Sequence, residues 1–431
     1  MVGCRAIEVP EAPRKITQSP HIIHADQHGL KAEDFDRHAL SVVYRLQKHG
    51  FAAYLVGGCI RDLLCGLEPK DFDVATDATP EEAKSVFKRS CRLIGRRFRL
   101  AHIHFGREVI EVATFRGNGR VHESEKGRLI TENVYGPMHE DAARRDFSVN
   151  AMYFDPSDLT IHDYHQGYED VHARRLRLVG EPVARYREDP VRLLRAVRFA
   201  AKLDFQIETE TQAPISGLGD LLDDVPAARL FDESLKLFMK GHAAASFRSL
   251  HQHNLLRHLF PDTVPALEAA EGDGLDQMLA AAMANTDERI RVGKPTTPAF
   301  LFAVLLWPAL ERQAAANRQQ GMKPLPAAEL AADKVISRQV SRISIPRRFS
   351  VPMREIWSLQ PRFNSRQGKR AQRLYNHPRF RAAYDFLLLR AVADPRLESL
   401  ADWWTELQEL DPDERRERLR SPAQRRAAGA R

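Results

Sequence analysis

Short apolar runs, separated by glycines and charged turns, characterise the first 180 residues of the chain. Their length and their content of valine, isoleucine and aromatic residues predict strands of a small mixed sheet. The predicted strands are residues 54–56, 71–76, 109–114, two runs within 91–105 and two runs within 155–179. Apolar residues recur at helical spacing in residues 33–49, and Thr79-Pro80 has the signals of a helix start. This part of the chain is therefore predicted to be an α+β domain.

The pattern changes after about Ala200, from where helical spacing continues and no further strand is predicted. The run PAFLFAVLLWPAL from Pro298 predicts one apolar core helix. Three stretches lack a periodic apolar pattern: residues 1–30, residues 115–137 and the arginine-rich residues from Asp411 onward. We expect a flexible or loosely docked lead-in, a mobile loop and a disordered basic tail, respectively.

The composition allows several folded domains and an anionic partner. A chain of 431 residues exceeds a single compact core, and 65 Lys+Arg against 58 Asp+Glu give a formal net charge of +7. The four cysteines have neither CxxC spacing nor the density of a disulfide scaffold, which fits a reducing cytoplasm. No apolar run approaches membrane-spanning length, and the N-terminus lacks the apolar stretch of a secretory signal.

Candidate chemistry begins at Gly57-Gly58, directly after the first predicted strand. Glycine permits backbone conformations and a close approach that a β-carbon would forbid, which suits a phosphate-bearing ligand. Arg61 and Asp62 follow on the first helical turn, where free backbone N–H groups favour an anion. Cys59 lies within this turn, and oxidation of its thiol is expected to impair nucleotide binding.

Three carboxylates are predicted to accompany the glycine turn. Strand alternation places Asp71 and Asp73 on one face, where the pair is unfavourable unless a cation such as Mg²⁺ lies between them. Glu111 is the charged residue in the apolar run VIEVAT. A carboxylate buried among valines must be paired or metal-linked, whereas on an edge strand it would face water.

Two later segments combine arginines with acids or amides. In RRDFSVNAM, Arg144 or the next arginine could bind phosphate oxygens. Asp146 and Asn150 in the same segment could exchange hydrogen bonds with ribose hydroxyls; the alternative is a salt-bridged interdomain turn.

In the second segment, EDPVRLLRAVR, Asp189 can cap a helix on which Arg192, Arg195 and Arg198 share one face. Such a ridge is either a solvated face or a base-reading surface. Asp189 and Arg192 together offer an acceptor and a donor, which match the N6 amino group and N1 of adenine.

Basic residues elsewhere predict RNA contacts. They are Arg96, Arg97 and Arg99 between two strands, and Arg366, Lys369 and Arg370 in a helical segment with Tyr375, Phe380 and Tyr384. The cations would neutralise phosphates and the rings would stack on unpaired bases. The alternatives are an exposed basic turn and an ordinary amphipathic helix pair.

The order of these motifs resembles a known family. GG-x-x-RD followed by DxD, then RRDF-x-x-N-A and ED-x-x-R-x-x-R, is similar to the nucleotidyltransferase core shared by bacterial poly(A) polymerases and CCA-adding enzymes. The resemblance implies a polymerase-β-like head, an all-α neck and body, ATP as substrate, and two Mg²⁺ ions held by Asp71 and Asp73, with Glu111 as the third active-site carboxylate. The implied nucleotide-binding residues are Gly57, Gly58, Arg61, Asp62, Arg144, Asp146, Asn150, Asp189, Arg192, Arg195 and Arg198.

Motifs and resemblance together predict five segments. They are a flexible N-terminal segment (1–30), a catalytic head (31–180), a base-recognising neck (181–245), an RNA-binding body (246–408) and a basic disordered tail (409–431). The implied activity is template-independent addition of AMP from ATP to a single-stranded RNA 3′ end, in RNA turnover, by a cytoplasmic, monomeric enzyme with no membrane partner.

Three alternatives remain at this point. A CCA-adding enzyme uses the same chemistry and nearly the same motifs, although GRRFRLAH at residues 95–102 and the basic tail favour poly(A) addition. A non-catalytic RNA-binding protein with a retired transferase fold would have no reason to keep three converging acids. A small-molecule nucleotidyltransferase would not require the long helical part.

Overall fold

Two units divide the chain, one up to Leu218 and one from Gly219 onward. The computed structural model describes residues 19–95, 99–123, 129–270 and 274–420. The described strands all lie in the first unit, and the second unit is helical. The predicted α+β and all-α parts are thus confirmed, while the finer division into a neck and a body stays a prediction.

The strands described in the first unit form three sheets. They are β1 (His21–Ile23), β2 (Ala53–Val56), β3 (Asp73–Thr76), β4 (Cys91–Ile94), β5 (Leu100–Phe105), β6 (Glu108–Thr114), β7 (Arg116–Glu123), β8 (Leu129–Tyr135), β9 (Met152–Asp155), β10 (Thr160–Asp163), β11 (Arg175–Leu176) and β12 (Gln206–Ile207). The main sheet has the order β1-β10-β9-β2-β3-β6-β5-β4. Its neighbours pair antiparallel except β3 and β6, which are parallel. The mixed sheet predicted from the sequence is therefore present.

Helices surround this sheet and build the second unit. In the first unit they are α1 (Ala25–His28), α2 (Arg37–Lys48), α3 (Gly58–Leu64), α4 (Pro80–Phe87), α5 (Met138–Arg144), α6 (Gly167–His172), α7 (Pro182–Glu188), α8 (Val191–Leu203) and α9 (Thr209–Gln212). In the second they are α10 (Ala227–Phe238), α11 (Ala243–Gln252), α12 (Leu256–Leu259), α13 (Thr263–Ala269), α14 (Leu275–Arg291), α15 (Pro298–Leu305), α16 (Trp307–Gln319), α17 (Pro324–Arg342), α18 (Arg347–Leu359), α19 (Gly368–Tyr375), α20 (Phe380–Ala393), α21 (Glu398–Glu409) and α22 (Pro412–Arg418). Short 3₁₀ turns occur between them, including Ser148–Asn150 and Gly219–Asp224.

Helix α2 holds the strands that carry the candidate site. Asp36 caps its N-terminus by accepting from the backbone N–H groups of His38 and Ala39. Its buried face, which includes Val42 and Leu46, packs on β2, β3 and β6. Burying each such side chain contributes about 1.5–3 kcal/mol, so this contact fixes the sheet centre.

The second unit has an aromatic core of its own. Trp404 is fully buried, and its ring lies 5.3 Å from the ring of Phe363 and 5.6 Å from that of Phe380. The indole N–H of Trp404 donates to the Phe363 carbonyl at 2.9 Å, so the polar atom of this core is satisfied.

Three of the irregular stretches expected from the sequence are partly ordered. Residues 115–137 contain the hairpin β7–β8 rather than a loop throughout. Within residues 1–30, β1 pairs with the edge strand β10, because His21–Ile23 supplies backbone partners that β10 lacks. The predicted tail begins with α22, and its Leu419 is buried; residues 421–431 lie outside the described part.

Two expectations for the helical part need smaller corrections. The apolar run from Pro298 forms two helices, α15 and α16, because Pro308 cannot donate the backbone hydrogen bond that would continue one helix. A two-residue strand, β12, follows Ala200 and pairs parallel with β11. Such a short pairing leaves no alternating pattern that sequence could reveal.

The helices give one result on membranes. Within the described ranges, no single helix is long and apolar enough to span a bilayer, and only α15 taken with α16 meets the criterion, as a pair bent by 50°.

Gly167 is predicted to be essential for the packing of α6 on the Ser148–Asn150 turn. A Cβ at this position would lie 2.3 Å from the Ser148 carbonyl oxygen. Gly167→Ala is therefore expected to destabilise the first unit by about 1–3 kcal/mol, measured by urea unfolding. Gly217→Ala is the matched control, because its Cβ would meet only the Pro214 carbonyl oxygen at 3.8 Å. Equal stability of both variants would contradict the argument.

Candidate active site

The glycine turn and the predicted carboxylates meet at one edge of the main sheet. Val56 at the end of β2 pairs with Asp73 at the start of β3, so Gly57 follows beside this carboxylate. The parallel register of β3 and β6 places Asp73 and Glu111 at matching positions on adjacent strands. Asp71 lies two residues before Asp73. We call Asp71, Asp73 and Glu111 the acidic edge.

Electrostatics show that the three carboxylates share one field. The pKa of Asp73 is raised to about 6, chiefly by desolvation, then by the negative charges of Glu111 and Asp71, with Arg145 opposing them. The acidic edge is open, because Asp71 and Asp73 are exposed and the Glu111 side chain is 52% exposed. An all-oxygen donor set with surplus negative charge fits a hard divalent cation such as Mg²⁺.

Glu111 differs from its sequence-based description. It is not buried among valines: its side chain faces outward and lies 3.5 Å from the imidazole of His102 on β5. It is not on an edge strand either, because β6 lies between β3 and β5. Strand alternation explains this, since Ile110 and Val112 take the buried positions on either side.

The turn after β2 requires glycine. Gly57 has φ = 81°, in the left-handed region, and its N–H donates to the Met152 carbonyl at 3.3 Å. A Cβ on Gly57 would lie 3.4 Å from a guanidinium nitrogen of Arg145. Such a contact is close to ordinary van der Waals distance, so the positive φ rather than the guanidinium is what requires glycine here. Gly58 begins α3.

Arg61 and Asp62 lie beneath the turn rather than on its open side. Arg61 is 3% exposed, and its Nε donates to Asp62 at 2.9 Å. Its guanidinium also donates to Asn150 and lies 5.0 Å from the centre of the Phe199 ring. Asp62 accepts in addition from Lys202 at 2.8 Å. These side chains are engaged with the protein in this structure, and their sequence-based role in holding a triphosphate stays a prediction.

Asp146 and Asn150 continue the same network. Asp146 accepts from Arg195 Nε at 2.7 Å, from the Asn150 amide at 3.0 Å and from the backbone N–H of Phe147 at 2.9 Å. Burial alone would raise the pKa of Asp146, but the Arg195 charge and these hydrogen bonds hold it well below its usual range. Asn150 accepts from Arg61 and donates to Asp146, which joins the two ion pairs.

Arg145 is the arginine whose charge acts on the acidic edge, whereas the nucleotide-binding residue implied by the sequence was its neighbour Arg144. Arg145 donates to Asp141 at 3.0 Å and to the Tyr153 hydroxyl at 3.0 Å, and its charge lowers the pKa of Asp73. Arg144 instead donates to the Gly117 carbonyl. Asp141 and Arg145 stand four residues apart, a spacing at which an acid and a base can pair on a helix, and this was a signal available in the sequence.

The arginines of α8 do not form a solvated ridge. Arg192 is 8% exposed, and one of its nitrogens donates to Glu188 and to the Arg185 carbonyl, both at 2.8 Å. Arg195 binds Asp146, and Arg198 lies 4.2 Å from the Phe199 ring centre. The backbone carbonyl of Asp189 accepts a hydrogen bond from the backbone N–H of Arg192 at 3.0 Å. Sequence reasoning missed Glu188 and Arg185, although Glu188 stands four residues before Arg192.

The predicted RNA contacts divide into three groups. Arg96 and Arg97 lie outside the described residues, and Arg99 is exposed and paired with Glu81 at 2.8 Å. Lys369 and Arg370 are exposed on α19, with Arg366 half-buried just before it. Stacking on bases is wrong for Phe380 and Tyr384, because both are buried, whereas it stays a prediction for Tyr375, which is partly buried against the same core.

The prediction that Cys59 is sensitive to oxidation is also wrong. Its side chain is buried, and its thiol donates to the Val56 carbonyl at 3.5 Å. Burial raises the pKa of this thiol to about 12. Because the thiolate is the form that oxidants attack, a buried protonated thiol is expected to be inert.

Comparisons with known proteins agree with this geometry. Residues 53–177 match the family described as "Poly A polymerase head domain". Residues 204–267 match the family described as "Probable RNA and SrmB- binding site of polymerase A", and residues 320–431 match "Polymerase A arginine-rich C-terminus". The chain is 45% identical to poly(A) polymerase I of Salmonella typhi over 430 residues, which covers 96% of this chain and 92% of that protein.

CCA-adding enzymes are similar to this chain either in the sequence of about half of it or only in fold. The CCA-adding enzyme of Geobacillus thermodenitrificans is 35% identical over 221 residues, 51% of this chain and 54% of that protein. The structure of the Thermotoga maritima CCA-adding enzyme complexed with tRNA has a TM-score of 0.62 at 20% identity, covering 91% of this chain and 87% of that one. The latter likeness shows the fold alone.

The raised pKa of Asp73 predicts a pH-dependent effect of removing its charge. A folded-state pKa of about 6, against 3.8 as the ordinary value, means that the ionised carboxylate destabilises the fold above about pH 6. Asp73→Asn is therefore expected to raise Tm by about 2–4 °C near pH 8 in EDTA, and the gain should vanish as pH falls to about 4. Thermal scans across pH would measure it.

Added Mg²⁺ should raise the Tm of the parent protein more than that of Asp73→Asn. Glu68→Gln, which removes an exposed carboxylate in the loop before β3, serves as the control and should behave as the parent does. If the Tm difference between Asp73→Asn and the parent did not vary with pH, the inference that the carboxylates of the acidic edge raise the pKa of Asp73 would be contradicted.

The ion pair of Asp146, whose side chain is 11% exposed, and Arg195, whose side chain is 29% exposed, predicts a non-additive double-mutant cycle. Arg195→Met leaves a buried carboxylate without its cation and is expected to cost about 3–5 kcal/mol in urea unfolding. Asp146→Asn combined with Arg195→Met should recover part of that loss, because no charge then remains buried. If the losses of unfolding free energy in the two single variants added up to the loss in the double variant, the two residues would act independently.

Proposed function

Because this chain belongs to the poly(A) polymerase I family of nucleotidyltransferases, we propose that it adds AMP units from ATP to RNA 3′ ends without a template and releases pyrophosphate. The observation that supports this most directly is the acidic edge, with its raised Asp73 pKa, beside a glycine turn. A retired transferase would gain nothing from keeping three mutually repelling carboxylates at an open strand end.

The proposed reaction is an in-line displacement at the α-phosphorus of ATP. The RNA 3′-oxygen forms a bond to this phosphorus, the bond to the bridging oxygen of pyrophosphate breaks, and the 3′-hydroxyl proton leaves. Asp71 and Asp73 would hold two Mg²⁺ ions, which lower the pKa of the hydroxyl and neutralise the leaving pyrophosphate. Glu111 would complete this ligand set or orient the attacking hydroxyl.

Protein groups around the acidic edge support binding of the triphosphate. The positive φ of Gly57 and the absence of a side chain at Gly57 and Gly58 leave room for phosphate oxygens. Arg145 is held by Asp141 and Tyr153 with its charge directed at Asp73, so it would offset part of the substrate's negative charge. Arg61 and Asp62 would act indirectly, by fixing the helix that follows the turn.

We also propose that Asp189 and Arg192 select adenine. Support comes from the way the protein holds the guanidinium of Arg192, which bonds to Glu188 and to the Arg185 carbonyl. A fixed donor loses less conformational freedom when a base binds, so its orientation can discriminate between base edges. Asp146, Asn150, Arg195 and Arg198 would line the sugar side of the same site.

Poly(A) addition is favoured over CCA addition by the extent of the similarity. The poly(A) polymerase I match runs over nearly the whole chain, whereas the CCA-adding relative matches about half. As part of the proposal, the enzyme acts as a cytoplasmic monomer in RNA turnover, and the exposed Lys369 and Arg370 of the helical unit bind the RNA strand. Free Cys59, Cys65 and Cys91 suit a reducing compartment.

Primer extension tests the proposed activity. With a 5′-labelled unstructured RNA, Mg²⁺ and one nucleoside triphosphate at a time, ATP alone should give a long ladder. Asp71→Ala should lower the rate at least about 100-fold, more than loss of an outer-shell partner costs, while filter binding of the RNA stays unchanged. Glu68→Gln is the matched control and should extend as the parent does.

Two results would overturn the proposal. Addition of three nucleotides to end-trimmed tRNA with CTP and ATP, without a ladder on ATP alone, would assign CCA addition. Extension that survives in Asp71→Ala would show that the acidic edge is not the reaction centre.

A further inference from the structure

Strands β4, β5 and β6 have one covered and one open side. Ala101, Ile103, Ile110 and Val112 are buried on the side that packs against α2 and α4. The residues that alternate with them point the other way and are exposed or half-buried. We call this second side the open face, and its described members are Arg92, Ile94, Leu100, His102, His104, Val109, Glu111 and Ala113.

The acidic edge borders the open face. Glu111 on β6 is directly opposite His102 on β5, and His102 is directly opposite Arg92 on β4. The imidazole of His102 lies 3.5 Å from the Glu111 carboxylate, so both side chains are on the same side of the sheet. Because neighbouring strands are about 4.8 Å apart, the backbone of Arg92 is about 10 Å from that of Glu111. This row of three residues therefore leads from the acidic edge to the outer strand of the sheet.

The geometry of AMP transfer indicates what crosses this row, a step that rests on the proposed function. The attacking oxygen and the leaving pyrophosphate must lie on opposite sides of the α-phosphorus. The glycine turn proposed to hold the triphosphate follows β2, which is next to β3 on the side away from β6. The RNA 3′-oxygen then has to approach from β6, and the nucleotides behind it have to cross β5 and β4.

The side chains of the open face suit an unpaired RNA end. His102 and His104 are half-buried on one side of β5, beside the exposed apolar residues Ile94 and Val109. Imidazole rings can stack on unpaired bases, and an exposed guanidinium such as that of Arg92 can bind a phosphate. Among the described residues, Arg92 forms no ion pair and His104 no hydrogen bond, so both are available. Continuity with the acidic edge favours RNA over a protein partner, which would block the approach to the reacting phosphorus.

We propose that the open face binds the terminal nucleotides of the RNA strand whose 3′-oxygen attacks ATP. His104 stacks on a base, Arg92 binds a backbone phosphate, and His102 contacts the last nucleotide beside Glu111. Stacking tolerates every base, so this surface accepts an RNA end of any sequence. It is an RNA contact in addition to the one proposed for α19.

Primer extension at varied RNA concentration tests the stacking contact. His104→Ala should raise the KM for a short unstructured RNA at least about fivefold, the smallest effect expected from losing a stacked base, and leave the KM for ATP unchanged. His49→Ala, which removes an exposed histidine at the end of α2, is the matched control and should behave as the parent does. The Tm of both variants is measured to exclude a folding defect.

Salt dependence tests the phosphate contact. Arg92→Ala should lower the slope of log KM for RNA against log salt concentration by about 0.7, the contribution of one phosphate contact on a single strand. Arg89→Ala removes an exposed arginine three residues earlier in the chain, and its slope should equal that of the parent. A merely structural role of Arg92 would change the Tm but not the slope.

A cross-linking arm needs no catalysis and therefore separates this inference from the proposed function. Asp71→Ala protein is irradiated with an RNA that carries 4-thiouridine next to its 3′ end, and mass spectrometry should find the attached peptide on β4 or β5. AMP addition by the parent together with a cross-link elsewhere, or with unchanged KM and salt slope in both variants, would overturn the inference and leave the proposed function standing. Absence of AMP addition by the parent would overturn both.

Discussion

A chain of ion pairs and hydrogen bonds, buried at its centre and partly exposed at its ends, determines how the α+β unit is held together around its candidate site. Its members, in order, are Lys202, Asp62, Arg61, Asn150, Asp146 and Arg195. Both ends belong to α8, while the middle belongs to α3 and to residues 146–150, which include the Ser148–Asn150 turn. The buried charges in the middle are tolerable because their neighbours are present, so these elements stabilise one another.

This network explains why the open side of the site can remain charged. By joining α3 to α8, it fixes the helix that follows Gly57 and therefore the turn itself. A second, smaller network of Arg145, Asp141 and Tyr153 lies next to that turn. Each carboxylate in both networks has a cationic partner, whereas the acidic edge has surplus negative charge. Among these three groups, negative charge is therefore left over only where a cationic ligand would enter.

Local patterns in the sequence were sufficient for the strands β2, β3 and β6 and for the acidic edge, but not for β1, β9, β12 or the hairpin β7–β8. Alternation and a two-residue spacing identify Asp71 and Asp73 without any knowledge of distant contacts. The roles of Arg61 and Arg192 could not be derived in this way. The sequence pattern of an arginine on a helix face is the same whether its guanidinium binds a phosphate or a carboxylate. Arg61 meets Asn150 from 89 residues away, and Asp62 meets Lys202 from 140. Glu111 was found, but its position beside Asp73 follows from the parallel pairing of β3 and β6, which the sequence did not reveal.

The raised pKa of Asp73 marks a charge that stability alone would not retain. A protein selected only for stability would replace a carboxylate that its neighbours repel, since neutralising one such charge is a single substitution. Asp73 instead sits with two other acids at an open strand end, next to a glycine turn that has no side chain to neutralise them. Under the proposed function, this repulsion would disappear when cations and a triphosphate occupied the edge together. The same charges that weaken the ligand-free fold would then favour the bound state, and part of the affinity for metal and nucleotide would come from repulsion relieved on binding.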